Sequence, residues 1–312
     1  MLIRPDISRY SVPARFAVFI GIMILCLILF SFIGLLLSIP IFQITLAKAL
    51  SGEAFIPCVQ NAGILKYLQL VNQLGLFVVP PLLFACFSGK TNSDFLCIRR
   101  KPSFYLILLS GLILIAGLPI IDRLLQWNEL MKLPAFAKGI EQWMKDSERN
   151  AASVTELFLK TGGLKGLAAN LFIMAAVPAI GEEFVFRGVL LGMLNEWTGR
   201  KIPAVIISAF VFSAIHLQFY GFLPRFVLGV YLGFLFVRSG SIWVPVFAHF
   251  VNNAITVIVA YLYFNGIMHT DYEKFGSTDS WLILAVSLMV SAILIFFFMK
   301  LPLKKEKNLP LV

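Results

Sequence analysis

The chain has 312 residues, of which 59% are hydrophobic and only 13% are charged. Soluble domains carry about 25% charged residues, so this composition excludes an ordinary water-soluble protein and describes an integral membrane protein. A net charge of +10 would suggest nucleic acid in a soluble chain. In a membrane chain it follows from lysine and arginine gathering in cytoplasmic loops, and no nucleic-acid partner is inferred.

A helical span needs about 20 predominantly apolar residues, and eight segments are predicted as spans in chain order. The first runs from about Phe16 to Ile39. Arg4, Arg9 and Arg15 precede it like the n-region of a signal peptide, but its 24 apolar residues exceed an h-region and no small-x-small cleavage site follows. It is read as a retained span. The second covers about Tyr67 to Phe87 and is expected to kink at Pro80-Pro81. The third covers about Phe104 to Ile121, and the fourth begins near Gly166. The fifth covers about Ile202 to His216. The sixth, about Phe219 to Val237, contains Gly229-x-x-x-Gly233, a spacing that lets helix backbones approach closely in lipid. The seventh covers about Ile242 to Phe264 and the eighth about Trp281 to Met299. Cys26 and Cys86 fall inside apolar runs, and with Cys58 and Cys97 they form no C-x-x-C pair, so neither a disulfide framework nor a zinc knuckle is expected.

Charge sets the orientation. With the N-terminus inside, the cytoplasmic segments hold Arg4, Arg9 and Arg15, then Lys90, Arg99, Arg100 and Lys101, then Arg200 and Lys201, then Arg238, then Lys304, Lys305 and Lys307. The external connection Asn265–Ser280 holds Asp271, Glu273 and Asp279 against Lys274. The expected fold is therefore all-α: a polytopic transmembrane bundle of about eight spans with both termini cytoplasmic. One membrane-embedded domain covers residues 1–312. The long connection from about Asp122 to Lys165 places Ile140, Trp143 and Met144 at near-helical spacing beside Lys145, Asp146 and Glu148, which suits either a helix along the interface or an ordinary covering helix.

The stretch "AIGEEFVFRG" ends the apolar run of the fourth segment. Insertion of one charged side chain at a span centre costs roughly 2.5–3.5 kcal/mol, so Glu182, Glu183 and Arg187 together approach roughly 8–10 kcal/mol. Glu183 and Arg187 are four apart and face each other on one helix side. Glu182 lies about 100° around and needs a partner from elsewhere. Alternatively Pro178 breaks the helix and starts a new one, placing both acids in a first turn where the dipole favours them.

Two further polar sets lie in apolar spans. The fifth contains Phe212-x-x-x-His216 and the seventh His249-x-x-x-Asn253. Of the three histidines, only His269 falls in a loop. Intramembrane ionisable groups face the bundle interior or a water-filled cavity. If Glu182, His216 and His249 converge there, they form a hydrolytic set: the carboxylate takes a proton from water, an imidazole positions that water, and imidazole and amide donors stabilise an oxyanion. The same Glu182, His216 and His249 also suit a catalytic zinc ion, although H-E-x-x-H is absent.

Glu182-Glu183-x-x-x-Arg187, Phe212-x-x-x-His216 and His249-x-x-x-Asn253, in that order, resemble the three motifs of the CPBP family of intramembrane proteases, named for CAAX and bacteriocin processing and also called the Abi family. The resemblance covers about residues 166–259, the expected catalytic core. It implies an endopeptidase in which Glu182 activates water, Glu183 and Arg187 form a supporting pair, His216 orients the water with Glu182, His249 and Asn253 form the oxyanion site, and Phe212 packs beside them. Zinc is one cofactor the resemblance allows. A metal-free mechanism is preferred, because Glu182 and the two histidines supply every role. The implied partners are the lipid bilayer and a membrane-associated peptide or protein substrate, with the protein integral to a bacterial cytoplasmic membrane. The competing expectations are an ion- or proton-coupled transporter and a non-catalytic membrane scaffold.

Overall fold

The computed structural model describes residues 6–88, 91–131, 133–160 and 162–302. Arg4, Lys90, Lys304, Lys305 and Lys307, which enter the orientation argument, lie outside the described residues. Among the described residues all regular structure is helical. The principal helices are α1 (Val12–Phe42), α2 (Ala62–Cys86), α3 (Phe104–Ala116), α4 (Leu118–Glu129), α5 (Lys138–Leu159), α6 (Gly163–Thr198), α7 (Lys201–Ala214), α8 (Phe222–Ser239), α9 (Trp243–Phe264) and α10 (Trp281–Lys300).

All eight apolar stretches are helices, but they do not all have the length to cross a membrane alone. Among the described residues six helices are long and apolar enough: α1, α2, α6, α8 with its leading 3-10 turn, α9 and α10. A seventh crossing arises if α3 and α4, bent by 48°, count as one span. The bend falls at Gly117-Leu118-Pro119, where proline in the first turn of α4 cannot donate to the preceding turn. Helix α7 has 14 residues, about 21 Å at 1.5 Å per residue, short of a hydrocarbon core about 30 Å thick. In α2, Pro80 and Pro81 do not break the helix. A π turn over Leu74–Val78 precedes them and absorbs the missing donors.

Burial orders the helices from the outside inward. Only 11% of the most apolar window of α1 and 22% of that of α10 are buried, against 50% for α9. Leu25, Ile28 and Phe32 of α1 and Leu282 of α10 stay exposed, as lipid-facing side chains must. Helix α9 packs on α3, α6 and α8 and forms the centre. Helices α7 and α8 are closely apposed through the glycine pair: a Cβ on Gly229 would stand 3.0 Å from the Ala209 Cα, and one on Gly233 2.8 Å from the Val205 Cγ1. The small-residue spacing therefore serves the contact that its sequence suggested.

A helix does form over the long connection. In α5, Glu141 pairs with Lys145 at 2.6 Å, and the Trp143 ring lies 5.2 Å from that of Phe219. Its C-terminal end is tied to the bundle, because the Phe158 carbonyl accepts from Lys66 Nζ at 2.9 Å and from Asn170 Nδ2 at 2.8 Å.

Candidate active site

Helix α6 carries the acidic pair through the middle of the bundle. It runs unbroken past Pro178, because a π turn over Leu171–Ala176 precedes the proline and relieves its clash with the preceding turn. Glu182 and Glu183 thus do not sit in the first turn of a new helix: Glu182 lies 19 residues after Gly163 and 16 before Thr198. A second π turn, Phe184–Leu190, follows directly. Such turns favour functional sites because they re-aim side chains without ending the helix.

Glu183 is the hub. Its Oε1 accepts from Arg187 Nη1 at 2.7 Å and from His249 Nδ1 at 2.9 Å. Arg187 Nη2 donates to the Gly229 carbonyl at 2.9 Å. The Arg187 guanidinium also lies over the Phe212 ring, 4.9 Å from its centroid. Glu183 is fully buried, Arg187 is 1% exposed and His249 3% exposed. The i,i+4 pair expected from the sequence is present, and it holds more than itself: it fixes the α9 histidine to α6 and, through Gly229, to α8.

Glu182 is 6% exposed. Its Oε2 lies 3.8 Å from His249 Nε2, too far for a hydrogen bond, and no protein group within reach donates to it. Glu183 Oε2 is likewise without a donor, but Glu183 is anchored through its Oε1, whereas Glu182 Oε2 faces His249 Nε2 and is placed to take a reacting or bound partner.

His216 does not end a membrane-length helix. Helix α7 stops at Ala214, and His216 sits in the turn that follows, beside Leu217 with φ at 53°. There its Nδ1 donates to the Phe212 carbonyl at 2.8 Å. Phe212 joins the two imidazoles edge to face, with ring centroids 5.2 Å from His216 and 5.8 Å from His249. Glu182 and His249 are both within electrostatic range of His216. One turn beyond His249, Asn253 is half-buried, and its Oδ1 accepts from Asn252 Nδ2 at 3.1 Å. His269 is exposed in the turn between α9 and α10.

These contacts fix the tautomers. The Phe212 carbonyl can only accept, so His216 carries its proton on Nδ1, and its Nε2, when neutral, is an acceptor. The Glu183 carboxylate likewise places a proton on His249 Nδ1, and His249 Nε2 donates only in the imidazolium form. The Asn253 amide, with its oxygen engaged by Asn252, keeps its NH2 as a donor.

Among the described residues no three His, Cys, Asp or Glu side chains gather closely enough to hold a metal ion. The chemistry of the arrangement is that of a carboxylate, two imidazoles and an amide.

The sequence reading missed three contributors: the His249–Glu183 hydrogen bond, the Gly229 carbonyl and Asn252. Only Gly229 carried a signal, through its small-residue spacing. Glu182 and Glu183 are adjacent in sequence, and nothing local says which of them meets a histidine 66 positions later.

Residues 164–255 match the family model described as "Type II CAAX prenyl endopeptidase Rce1-like". The putative membrane peptidase YdiL of Bacillus subtilis is 34% identical over 96 residues, 31% of this chain and 39% of that protein. The sporulation-killing factor biosynthesis protein SkfC of Bacillus subtilis is 30% identical over 108 residues, 32% of this chain and 21% of that protein. The membrane-embedded CAAX protease MroQ of Staphylococcus aureus is 33% identical over 94 residues, 28% of this chain and 38% of that protein. The chain thus spans less than half the length of each of these relatives. No solved structure matches. The segment 164–255, which holds Glu182, Glu183, Arg187, His216, His249 and Asn253, is a match to the Rce1-like type II CAAX prenyl endopeptidase family.

Proposed function

We propose that the protein is an intramembrane endopeptidase that hydrolyses a peptide bond in a membrane-associated peptide or protein. The observation that carries this reading is the buried, undonated Oε2 of Glu182 beside His249 Nε2, on the far side of that imidazole from the Glu183–Arg187 pair.

A water molecule donates one hydrogen to Glu182 and the other to neutral His216 Nε2, both of them acceptors. This aims a lone pair at the scissile carbonyl. As the water oxygen attacks, Glu182 takes its proton and the carbonyl oxygen becomes an oxyanion. The Asn253 amide and the Nε2–H of protonated His249 donate to that oxyanion. Glu183, anchored by Arg187, holds His249 in the required tautomer and offsets its charge. Glu182 then passes its proton to the leaving nitrogen, the C–N bond breaks, and a carboxylic acid and an amine depart. The segment's similarity to CAAX endopeptidases and to a killing-factor biosynthesis protein supports a substrate held at the membrane, prenylated or bacteriocin-like.

The test is cleavage of a membrane-anchored peptide by the purified protein in proteoliposomes. Glu182→Gln is isosteric and cannot take the proton, so cleavage should fall by at least about a hundredfold while the variant inserts and extracts as the parent does. Full activity in that variant would end the assignment of Glu182 as the base. Solute uptake by the parent with no peptide cleaved would replace hydrolysis with transport.

A further inference from the structure

A second cleft, apart from the acidic site, opens at one end of the bundle. It measures about 610 Å³ and lies where the segment into α3, the start of α7, the end of α8 and the end of α10 converge. Four cations line it, Arg100, Lys101, Lys201 and Arg238, and no acidic residue does. Its walls are apolar and reach in to Leu106 and Phe234, both in the packing of α3, α8 and α10.

The mouth is held in shape. Ser241 Oγ donates to the Arg100 carbonyl at 2.5 Å, and Trp243 Nε1 to the Ile98 carbonyl at 2.7 Å, which ties the segment before α3 to the start of α9. Arg238 Nη2 donates to the Met299 carbonyl at 2.7 Å and to the Leu301 carbonyl at 3.0 Å, which ties the end of α10 to α8. At the same end of the bundle, Tyr105 and Trp197 are 65% and 62% exposed. Exposed aromatic residues of this kind mark headgroup depth.

A cationic mouth at headgroup depth over an apolar cleft between spans is complementary to one class of ligand: an amphiphile with an anionic head and a hydrocarbon chain. A soluble anion would leave the apolar walls unused. A neutral lipid would leave Lys101, Lys201 and Arg238 beside an uncharged head. We propose that this cleft binds an anionic phospholipid, with the phosphate among Lys101, Lys201 and Arg238 and an acyl chain along Leu106 and Phe234. Basic pockets between spans take anionic headgroups in this way.

The full chain in a neutral detergent, with phosphatidylglycerol added, tests this by native mass spectrometry and thermal unfolding. The parent should retain one phosphatidylglycerol and unfold at higher temperature with it, and phosphatidylcholine should do neither. Lys101 and Lys201 are exposed, so Lys101→Glu/Lys201→Glu should fold normally. This variant should bind phosphatidylglycerol about 30-fold more weakly, the loss expected for two lysines near a headgroup. Lys48→Glu/Lys165→Glu, which removes two exposed cations away from the cleft, should bind as the parent does. Ile206→Trp, which fills the cleft from α7, should lower retention without changing the net charge. Equal retention of phosphatidylcholine, an undiminished response in Lys101→Glu/Lys201→Glu, or the same stabilisation from inorganic phosphate alone would each overturn the proposal.

Discussion

Glu183 meets two donors and is itself fully buried. Breaking one side of a buried ion pair leaves an uncompensated charge, at a cost of about 3–5 kcal/mol. Glu183→Leu should therefore lose about that much stability, because Arg187, 1% exposed, has no other carboxylate in hydrogen-bond contact. Glu183→Leu/Arg187→Met removes both charges and should recover most of the loss while hydrolysis stays absent. Urea unfolding of both variants in detergent checks this, and equal destabilisation of the two would mean that the ion pair is not what makes the single substitution costly. Arg187→Lys should stay impaired, since one ammonium cannot span Glu183 and the Gly229 carbonyl with the geometry of a guanidinium. Asn253 lies outside this pair and is half-buried. Asn253→Ala should keep parental stability and lower kcat by about 10²–10³, the usual loss for one oxyanion donor. An effect confined to KM would remove the amide from the transition state.

The spacing of polar residues within each helix was legible, and the interruptions were not. The contact of α7 with α8 at Gly229 shows how an element positions the site. An added methyl would stand 3.0 Å from backbone at Ala209 and 3.2 Å from the Phe212 ring, whereas at Gly233 the nearest atom is a Val205 methyl at 2.8 Å. Backbone cannot yield as a side chain can. Gly229→Ala should therefore lower both stability, by about 1–3 kcal/mol, and cleavage, by pushing away Phe212 and the carbonyl that Arg187 uses. Gly233→Ala should be the milder of the two in paired unfolding and activity measurements. The π turns in α2 and α6 were invisible beforehand, because they depend on how a helix accommodates proline under packing. The sequence left open whether Pro178 ends a helix, and the unbroken α6 decides against it. The early end of α7, which puts His216 in a turn, was likewise not written in its apolar run.

Across the whole molecule, lipid replaces water as the surroundings of the outer helices, so the hydrophobic face points outward as well as inward. Helices α1 and α10 expose large side chains over most of their length. Both ends of the chain lie on one side of the membrane only if the number of crossings is even, as the cationic connections predict, whereas the described helices give six crossings, or seven with the bent pair. Protease added to intact cells should spare tags at both termini and cut a site inserted in Asn265–Ser280. Cleavage of either terminal tag under those conditions would refute this topology.

The amino-acid sequence by itself determined that the chain is membrane-embedded, helical and interrupted by three polar motifs, because hydropathy and i,i+4 spacing act within single segments. It also determined the Glu183–Arg187 pair, which lies on one helix face. Only the tertiary structure decided that Glu183, rather than Glu182, holds His249, that the Gly229 carbonyl completes the arginine's contacts, and that Glu182 keeps an oxygen without a donor. Those facts depend on how α6, α7, α8 and α9 rotate and approach one another. Such contacts between residues far apart in sequence are fixed by packing, which no local pattern encodes.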